Sequence, residues 1–442
     1  MQQEHYMIQP RVLKGFRDSL PKQELVKKYI ISTLESEFQK YGFVPIDTPV
    51  LEYTEVLLGK GNGETDKQIF SFKDNGKRDV AMRYDLTVPF ARFMAEHKNE
   101  LSLPFKRFHI AKVWRGENPQ KGRYREFFQC DFDIVGIDSG YADYEILSMM
   151  HSSLSSLGLK RFTIRIAHRG LFNDFLNAIG CLPYSVEILR CVDKLRKIGT
   201  VEVFEQLKAI SGSSDSAQAI MDYITVEGQK TNREILAQLD RLAGGTSEHA
   251  RRLHTILSLL EDNGIEASFC IDPSITRGLD YYTGIVYETF LDDLIEIGSV
   301  CSGGRYNELA SLYTNEHIPG VGSSIGLDRL ISALEDLDSD LLTQSSSADV
   351  IILNQDSECI PHGFKLASQL RALSIRCDHF LADKKLAAQF KYAESNNIPF
   401  AILFSQDECD QGLCTLRNLA TRSDTNRLNI FEVAKIIKDG RN

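Results

Sequence analysis

Two stretches in which apolar and polar side chains alternate, residues 106–115 and 127–135, flank the turn-forming run Gly116-Glu117-Asn118-Pro119-Gln120-Lys121-Gly122. Successive side chains of a strand point to opposite faces, and glycine, proline and asparagine favour chain reversal, so this window specifies a hairpin with a long loop. On the return strand Phe128, Cys130, Phe132 and Ile134 share one face, and Gln129, Asp131 and Asp133 share the other. The same window concentrates Lys106, Arg107, Lys112, Arg115, Lys121, Arg123 and Arg125 ahead of Glu126, with Glu117 opposing them, in a chain whose net charge is -10. Overall acidity argues against coating of nucleic acid, so a nucleic-acid partner would be held at a local basic patch such as this, with Arg115 at the loop mouth. A solvated sheet face whose charges pair across strands accounts for the pattern equally well.

Residues 284–290 and 298–302 also alternate with period two, which extends the expectation to a mostly antiparallel sheet. Between about residues 181 and 266 the apolar spacing changes to three and four, predicting helices over 185–198, 203–210, 232–242 and 247–261. A helical insertion thus interrupts the sheet domain. Leu341-Leu342-Thr343-Gln344-Ser345-Ser346-Ser347 follows an acidic helix end and reads as a linker. Beyond it, apolar runs at 350–353 and 400–404 bracket helix-period segments at 363–373 and 384–394, the order of a small α/β domain. With 43% hydrophobic and 25% charged residues over 442 positions, the chain can build several cores, and disordered or fibrous classes drop out. No run reaches about 18 apolar residues, and Met1-Gln2-Gln3-Glu4-His5 lacks a basic region followed by an apolar one, so neither membrane insertion nor secretion is expected. Nine cysteines without a Cys-x-x-Cys pair predict neither a disulfide framework nor a zinc site, and a cytoplasmic location.

Four further clusters carry possible chemistry. Thr276-Arg277-Gly278-Leu279-Asp280-Tyr281-Tyr282-Thr283-Gly284 places a guanidinium, a carboxylate and two phenols at a strand entry. It suits a small-molecule pocket, and equally an Arg277–Asp280 pair with core tyrosines. Gly303-Gly304-Arg305-Tyr306 and the run from Gly320 to Leu330 are rich in glycine, which permits close ligand approach. The second lacks the βαβ setting of a dinucleotide fingerprint, and no phosphate-loop Gly-Lys-Ser/Thr occurs, leaving Arg329 as a phosphate candidate early on a helix. Arg83-Tyr84-Asp85-Leu86-Thr87-Val88-Pro89 ends a strand and opens a helix, where Asp85 or Thr87 is suited to cap ahead of Pro89. His109 and His168 show no metal-ligand spacing, and no nucleophilic triad can be argued.

In this order, the clusters resemble the histidyl-tRNA synthetases, a class II aminoacyl-tRNA synthetase family, along nearly the whole chain. Val113-Trp114-Arg115-Gly116-Glu117 followed by Gly122-Arg123-Tyr124-Arg125-Glu126-Phe127 resembles the second class II motif, residues 322–329 the third, and Pro49 after a helix over 28–41 the first. Arg277-Gly278-Leu279-Asp280-Tyr281-Tyr282 and Ser302-Gly303-Gly304-Arg305-Tyr306 resemble the two signatures of the histidine enzyme. Gln389-Phe390-Lys391-Tyr392-Ala393 is similar to part of its anticodon-binding domain. The implied fold class is α+β: an antiparallel-sheet catalytic domain (1–180 and 267–340) with a helical insertion (181–266), a linker (341–347), and a C-terminal α/β anticodon-binding domain (348–442).

The family activates L-histidine with ATP and magnesium to histidyl-adenylate, then transfers the histidyl group to the 3′ end of tRNA(His), as a cytoplasmic homodimer. No protein nucleophile is needed; the site must hold two repelling anions in line. By resemblance Arg115 and Arg277 are catalytic, contacting the α-phosphate and the reacting carboxylate. Arg115, Glu117, Arg123 and Arg329 hold ATP. Asp85, Leu86, Thr87 and Gln129 surround the histidine amino group, Asp133 and Tyr282 read the imidazole, and Tyr281 completes the pocket. Gln120 is the implied contact with the extra 5′ guanosine of the tRNA, while the magnesium ligands stay open. Asp85 and Asp133 stand where many bacterial members carry Glu. The rival from the same fold is a histidine-sensing regulatory subunit of ATP phosphoribosyltransferase, which tends to lose the ATP-contacting arginines and the anticodon domain that this chain retains.

Overall fold

The computed structural model describes residues 8–59, 68–226, 231–245, 247–276, 281–337, 339, 346, 348–355, 360–382 and 384–440. The chain divides into two compact units, residues 1–18 with 30–337 and residues 19–29 with 338–442. Among the described residues no helix is long and apolar enough to cross a membrane.

In chain order the strands of the first unit are β1 Val44–Pro45, β2 Leu51–Tyr53, β3 Ser71–Lys73, β4 Asp79–Met82, β5 Phe105–Trp114, β6 Glu126–Val135, β7 Phe162–His168, β8 Phe269–Ile271, β9 Ile285–Leu291, β10 Cys301–Arg305 and β11 Gly320–Gly326. β2, β4 and β3 form a three-stranded sheet, and the others an eight-stranded sheet in the order β1-β5-β6-β11-β10-β9-β7-β8. Its interior pairs are antiparallel, while β1 and β8 join the edges in parallel. The β5–β6 hairpin forms where alternation placed it, ten residues on each arm. Its apolar face carries Phe108 opposite Phe132, and Phe38 of the helix Pro21–Lys40 packs on both, with ring centroids 5.5 and 4.9 Å apart. The polar face is not solvated: Gln129, Asp131 and Asp133 are buried too.

Six strands of this unit, β1, β2, β3, β7, β8 and β11, escape sequence reading. β7 has a nearly continuous buried pattern, and β11 is glycine-rich, a composition strands usually avoid. The strand expected at 298–302 forms later, at β10, after a short 3-10 turn Ile295–Ile297. Within the helical stretch, Asn232–Leu242 begins at a Thr231/Glu234 capping box, and Ser247 caps Glu248–Asp262. The helix expected over 185–198 is instead Ser185–Val192 followed by Leu195–Ser211, kinked where Gly199 takes φ 84°. An unanticipated helix, Ser214–Ile224, starts at Ser213.

The second unit holds β12 Val350–Ile352, β13 Cys377–His379, β14 Phe400–Leu403, β15 Cys414–Asn418 and β16 Ser423–Leu428, ordered β13-β12-β14-β15-β16. The first three strands are parallel and β15 and β16 antiparallel. Helices Ile360–Ala372 and Ile430–Asp439 bury Leu366, Leu370, Val433 and Ile437 against this sheet. Gln389, from the segment singled out in the sequence, is buried and bonds the Asn354 backbone in both directions.

Phe38→Ala removes the ring that seats the hairpin's apolar face. It is expected to lower stability by about 3–5 kcal/mol, read from the shift in the urea unfolding midpoint.

Candidate active site

Strand register decides which side chains meet on the polar face. Arg107 lies opposite Asp133 across β5–β6, and Gly322 lies opposite Asp133 across β6–β11. The next rows set His109, Asp131 and Ser324 side by side, then Ala111, Gln129 and Gly326. Arg107 has no exposed surface, and its Nη2 stands 2.8 Å from Asp133 Oδ2 as an ion pair whose alignment falls short of a hydrogen bond. Its guanidinium lies over the Phe90 ring at 4.1 Å, and Nη2 also reaches the Leu86 carbonyl at 3.4 Å. The Tyr306 hydroxyl donates to Asp133 Oδ1, and Gln129 Nε2 donates to Ser324 Oγ at 2.8 Å.

The glycines serve this cluster. A Cβ on Gly322 would lie 1.9 Å from Asp133 Oδ1, one on Gly320 2.4 Å from the Tyr306 ring, and one on Gly304 2.9 Å from the Tyr282 ring. The close approach they permit is thus first that of the protein's own pocket side chains.

Above this floor, Asp85 is buried and its Oδ1 accepts the Val88 N–H at 3.1 Å. It feeds the start of helix Thr87–His97, although Leu86, fully buried, occupies the cap position. Asp85 Oδ2 makes no hydrogen bond among the described residues. Tyr281 and Tyr282 pack edge to face at 4.9 Å, and Tyr281 lies 6.0 Å from Tyr306. Tyr281 also bonds the Thr87 side chain.

At the hairpin mouth Arg115 Nε donates to the Tyr84 carbonyl at 2.9 Å and its guanidinium lies over Phe127 at 5.1 Å. Glu117 sits between two cations, 3.9 Å from Arg115 and 3.8 Å from Arg123, all three side chains part-exposed. Arg329, in the first turn of helix Leu327–Asp336, donates to the Ser299 carbonyl at 2.5 Å. Gly122 of the hairpin loop approaches Arg329 closely enough that a Cβ would touch its Cα at 3.5 Å. Asp328 fastens the entry by accepting Phe128 N–H at 2.7 Å and pairing with Arg17. Gln120 is exposed on the loop, bonded through its backbone to Arg123. Arg277 and Asp280 lie outside the described residues.

The structure therefore gathers Asp85, Leu86, Thr87, Gln129, Asp133, Tyr281 and Tyr282 on and beside the polar face of the hairpin, with Arg115, Glu117 and Arg123 at its mouth and Arg329 close to the loop. Arg107, Asp131, Tyr306 and Ser324 join them without having been singled out as site residues. The signal that reaches them is register, since pairing positions 107 with 133 brings the opposed charges together.

Electrostatically the pocket is short of cations. Burial raises Asp131 to about 7 against the pull of Arg107, with Asp133 adding to the rise. Burial likewise raises Asp85 to about 6, opposed by the Val88 N–H and by Arg115 and Arg107. Asp133 is raised by burial against Arg107 and Tyr306, and burial pushes both tyrosines up. Such a pocket favours a ligand carrying positive charge and hydrogen-bond donors.

Similarity to known proteins extends over nearly the whole chain. Residues 15–330 match the family model described as histidyl-tRNA synthetase, and residues 348–440 one described as an anticodon binding domain. A Treponema denticola protein named histidine–tRNA ligase is 50% identical over 407 residues, 91% of this chain and 90% of its own. One of the same name from Treponema pallidum is 46% identical, covering 97% of each chain. The crystal structure of histidyl-tRNA synthetase from a Nostoc species superposes with a TM-score of 0.87 at 30% identity, covering 98% of this chain and all of the other.

Two outcomes are expected. Gly322→Ala forces Asp133 aside, so stability, read from the urea unfolding midpoint, is expected to fall by about 1–3 kcal/mol while circular dichroism retains the sheet. For Asp131 the folded carboxyl binds its proton more tightly than the unfolded one. Between its unfolded value of 3.8 and about 7 the native state therefore holds the extra proton, and this contribution to stability is lost as pH rises through that window. Asp131→Asn is expected to remove that loss, flattening the decline in melting temperature from pH 5 to 8.

Proposed function

This chain belongs to the histidyl-tRNA synthetase family and is a class II histidine–tRNA ligase, and from that we propose that the buried carboxylate pocket holds L-histidine while the mouth arginines hold ATP. The observation that carries the reading is Asp133, buried and fixed between Arg107 and Tyr306, with the buried Asp85 near enough to act on it electrostatically and Arg115 and Arg123 at the hairpin mouth. A neutral imidazole offers one donor and one acceptor, so the Asp133 carboxylate and the Tyr282 hydroxyl suit its two nitrogens. Asp85, mostly ionised at neutral pH with a value of about 6, suits the ammonium group, beside Gln129, Thr87 and the Leu86 backbone. Tyr281 closes the wall.

The histidine carboxylate attacks the α-phosphorus of ATP and pyrophosphate leaves; a ribose hydroxyl at the 3′ end of the tRNA then attacks the acyl carbon and AMP leaves. Two anions must meet in the first step, so guanidinium groups along the line of attack lower its barrier. Arg115, steered by the Tyr84 carbonyl, faces the carboxylate and α-phosphate. Arg123 and Arg329 take the outer phosphates, and Glu117 keeps Arg115 and Arg123 apart and oriented until the nucleotide arrives. Arg277, outside the described residues, is assigned the reacting centre on its sequence signature. A magnesium ion bound with the nucleotide would help neutralise the phosphates, whose oxygens are the hard ligands it prefers. Among the described residues no three acidic, histidine or cysteine side chains form a metal cage, and Glu117 is the acidic group at the mouth.

Gln120, exposed on the hairpin loop, is placed to meet the 5′ end of the tRNA, and residues 348–442 bind the anticodon. Residues 1–180 and 267–340 form the catalytic domain around the insertion 181–266. The protein works as a cytoplasmic homodimer. Retention of Arg115, Arg123, Arg277, Arg329 and the C-terminal domain disfavours a regulatory, non-catalytic role.

Histidine-dependent exchange of pyrophosphate into ATP, without tRNA, tests the site. Arg277→Ala is expected to reduce exchange by about 100-fold or more while histidine still binds. Unimpaired exchange in the variant would remove Arg277 from the reacting centre.

A further inference from the structure

The pocket's Tyr306 follows Arg305, a guanidinium buried away from any phosphate. Arg305 Nε and Nη2 both donate to Asp143 Oδ1, at 2.9 and 2.7 Å, and Nη1 and Nη2 reach the carbonyls of Ile137 and Ser139. Asp143, on helix Gly140–Ser156, is fully buried, and its other oxygen is taken by Arg252 Nε at 2.6 Å. Arg252 belongs to helix Glu248–Asp262 of the helical insertion, and its Nη1 donates to Asp138 Oδ1 at 2.6 Å. Asn307 closes the circuit, donating to Asp138 Oδ2 at 2.8 Å and accepting from Arg305 at 3.1 Å. Two guanidiniums and two carboxylates thus balance; Arg305 and Asp143 are buried, while Arg252 and Asp138 keep partial exposure.

The strand that carries Arg305 is held on its other side as well. The Arg305 carbonyl accepts from Thr283 N–H at 2.7 Å, next to Tyr282, and Tyr306 N–H donates to Gly320 at 2.8 Å. The backbone from which Tyr306 reaches Asp133 is thus fixed on one side through the Arg305 side chain and on the other by Thr283 and Gly320.

We propose that Arg252 is a positioning residue for histidine: through Asp143 and Arg305 it sets Tyr306 against Asp133, tying the insertion helix to amino-acid recognition. This rests on the reading of Asp133 and Tyr306 as part of the histidine pocket. The orientation of helix Glu248–Asp262 and the affinity for histidine are then coupled, so a partner that tilts this helix changes histidine binding without touching it.

The test is pyrophosphate exchange by full-length Arg252→Met and Arg252→Lys, with calorimetric titration of histidine. Arg252→Met is expected to raise the histidine KM about threefold to thirtyfold, with the ATP KM and kcat within about twofold of wild type. Arg252→Lys, which restores a charge to Asp143, recovers part of the loss. An unchanged histidine KM, or histidine and ATP KM rising together, overturns the proposal. If Arg252→Met does not fold, Asp138→Asn is scored the same way, because it removes the outer anchor of Arg252 at a part-exposed position. Titration separates this idea from the reading beneath it. Wild-type protein that fails to bind histidine removes both, whereas wild-type binding with unaltered affinity in the variant removes this one alone.

Discussion

A carboxylate at the centre of a strand buried on both faces must find a cation or keep its proton, and Asp133 finds Arg107 across the hairpin. Much of the first unit follows from that pair. It requires the β5–β6 register that sets position 107 against 133, since a slip by one residue would send the guanidinium to the face occupied by Phe38, Phe108 and Phe132. It also requires Gly322 on the neighbouring strand, because any side chain there would fill the space of the carboxylate. Removing one ion would strand the other in the interior, which explains why a buried charge pair is tolerated where apolar packing would be cheaper.

Cations are divided between two layers. Arg107 and Arg305 are buried and committed to Asp133 and Asp143, whereas Arg115 and Arg123 stay part-exposed beside Glu117, Arg115 also donating to the Tyr84 carbonyl. A guanidinium held at nearly 4 Å by a part-exposed carboxylate is little stabilised by it and can turn to a phosphate at small cost. One set of arginines is thus tied into the interior, and the other keeps part of its surface exposed at the hairpin mouth. Arg107, Arg115 and Arg123 hang from the same hairpin, whereas Arg305 sits on β10.

Local patterns made much of this legible. Alternation located β5 and β6, threes and fours located the helices at 232–242 and 248–262, and turn residues located the loop between the hairpin arms. Motif resemblance named the pocket residues. What local patterns missed had a common physical origin: β11 does not look like a strand because its glycines answer to side chains elsewhere, Asp133 and Tyr306 among them. Asp131 and Ser324 likewise gain their place from pairing between strands far apart in the chain. Helix Ser214–Ile224 went unread although a serine caps it and it carries the buried Ile220 and Tyr223.

The sequence by itself determined the basic hairpin, the helical character of the insertion, the alternating order of the C-terminal unit and the family signatures, because periodicity, turn chemistry and motifs are local properties. Only the tertiary structure decided that the polar face of β6 is a buried pocket rather than a wetted surface. It alone distinguished structural from available arginines and joined Arg252 to Arg305 through Asp143. Burial and charge pairing depend on which strands and helices become neighbours, and that follows from register and packing over the whole unit, which no short stretch of residues contains.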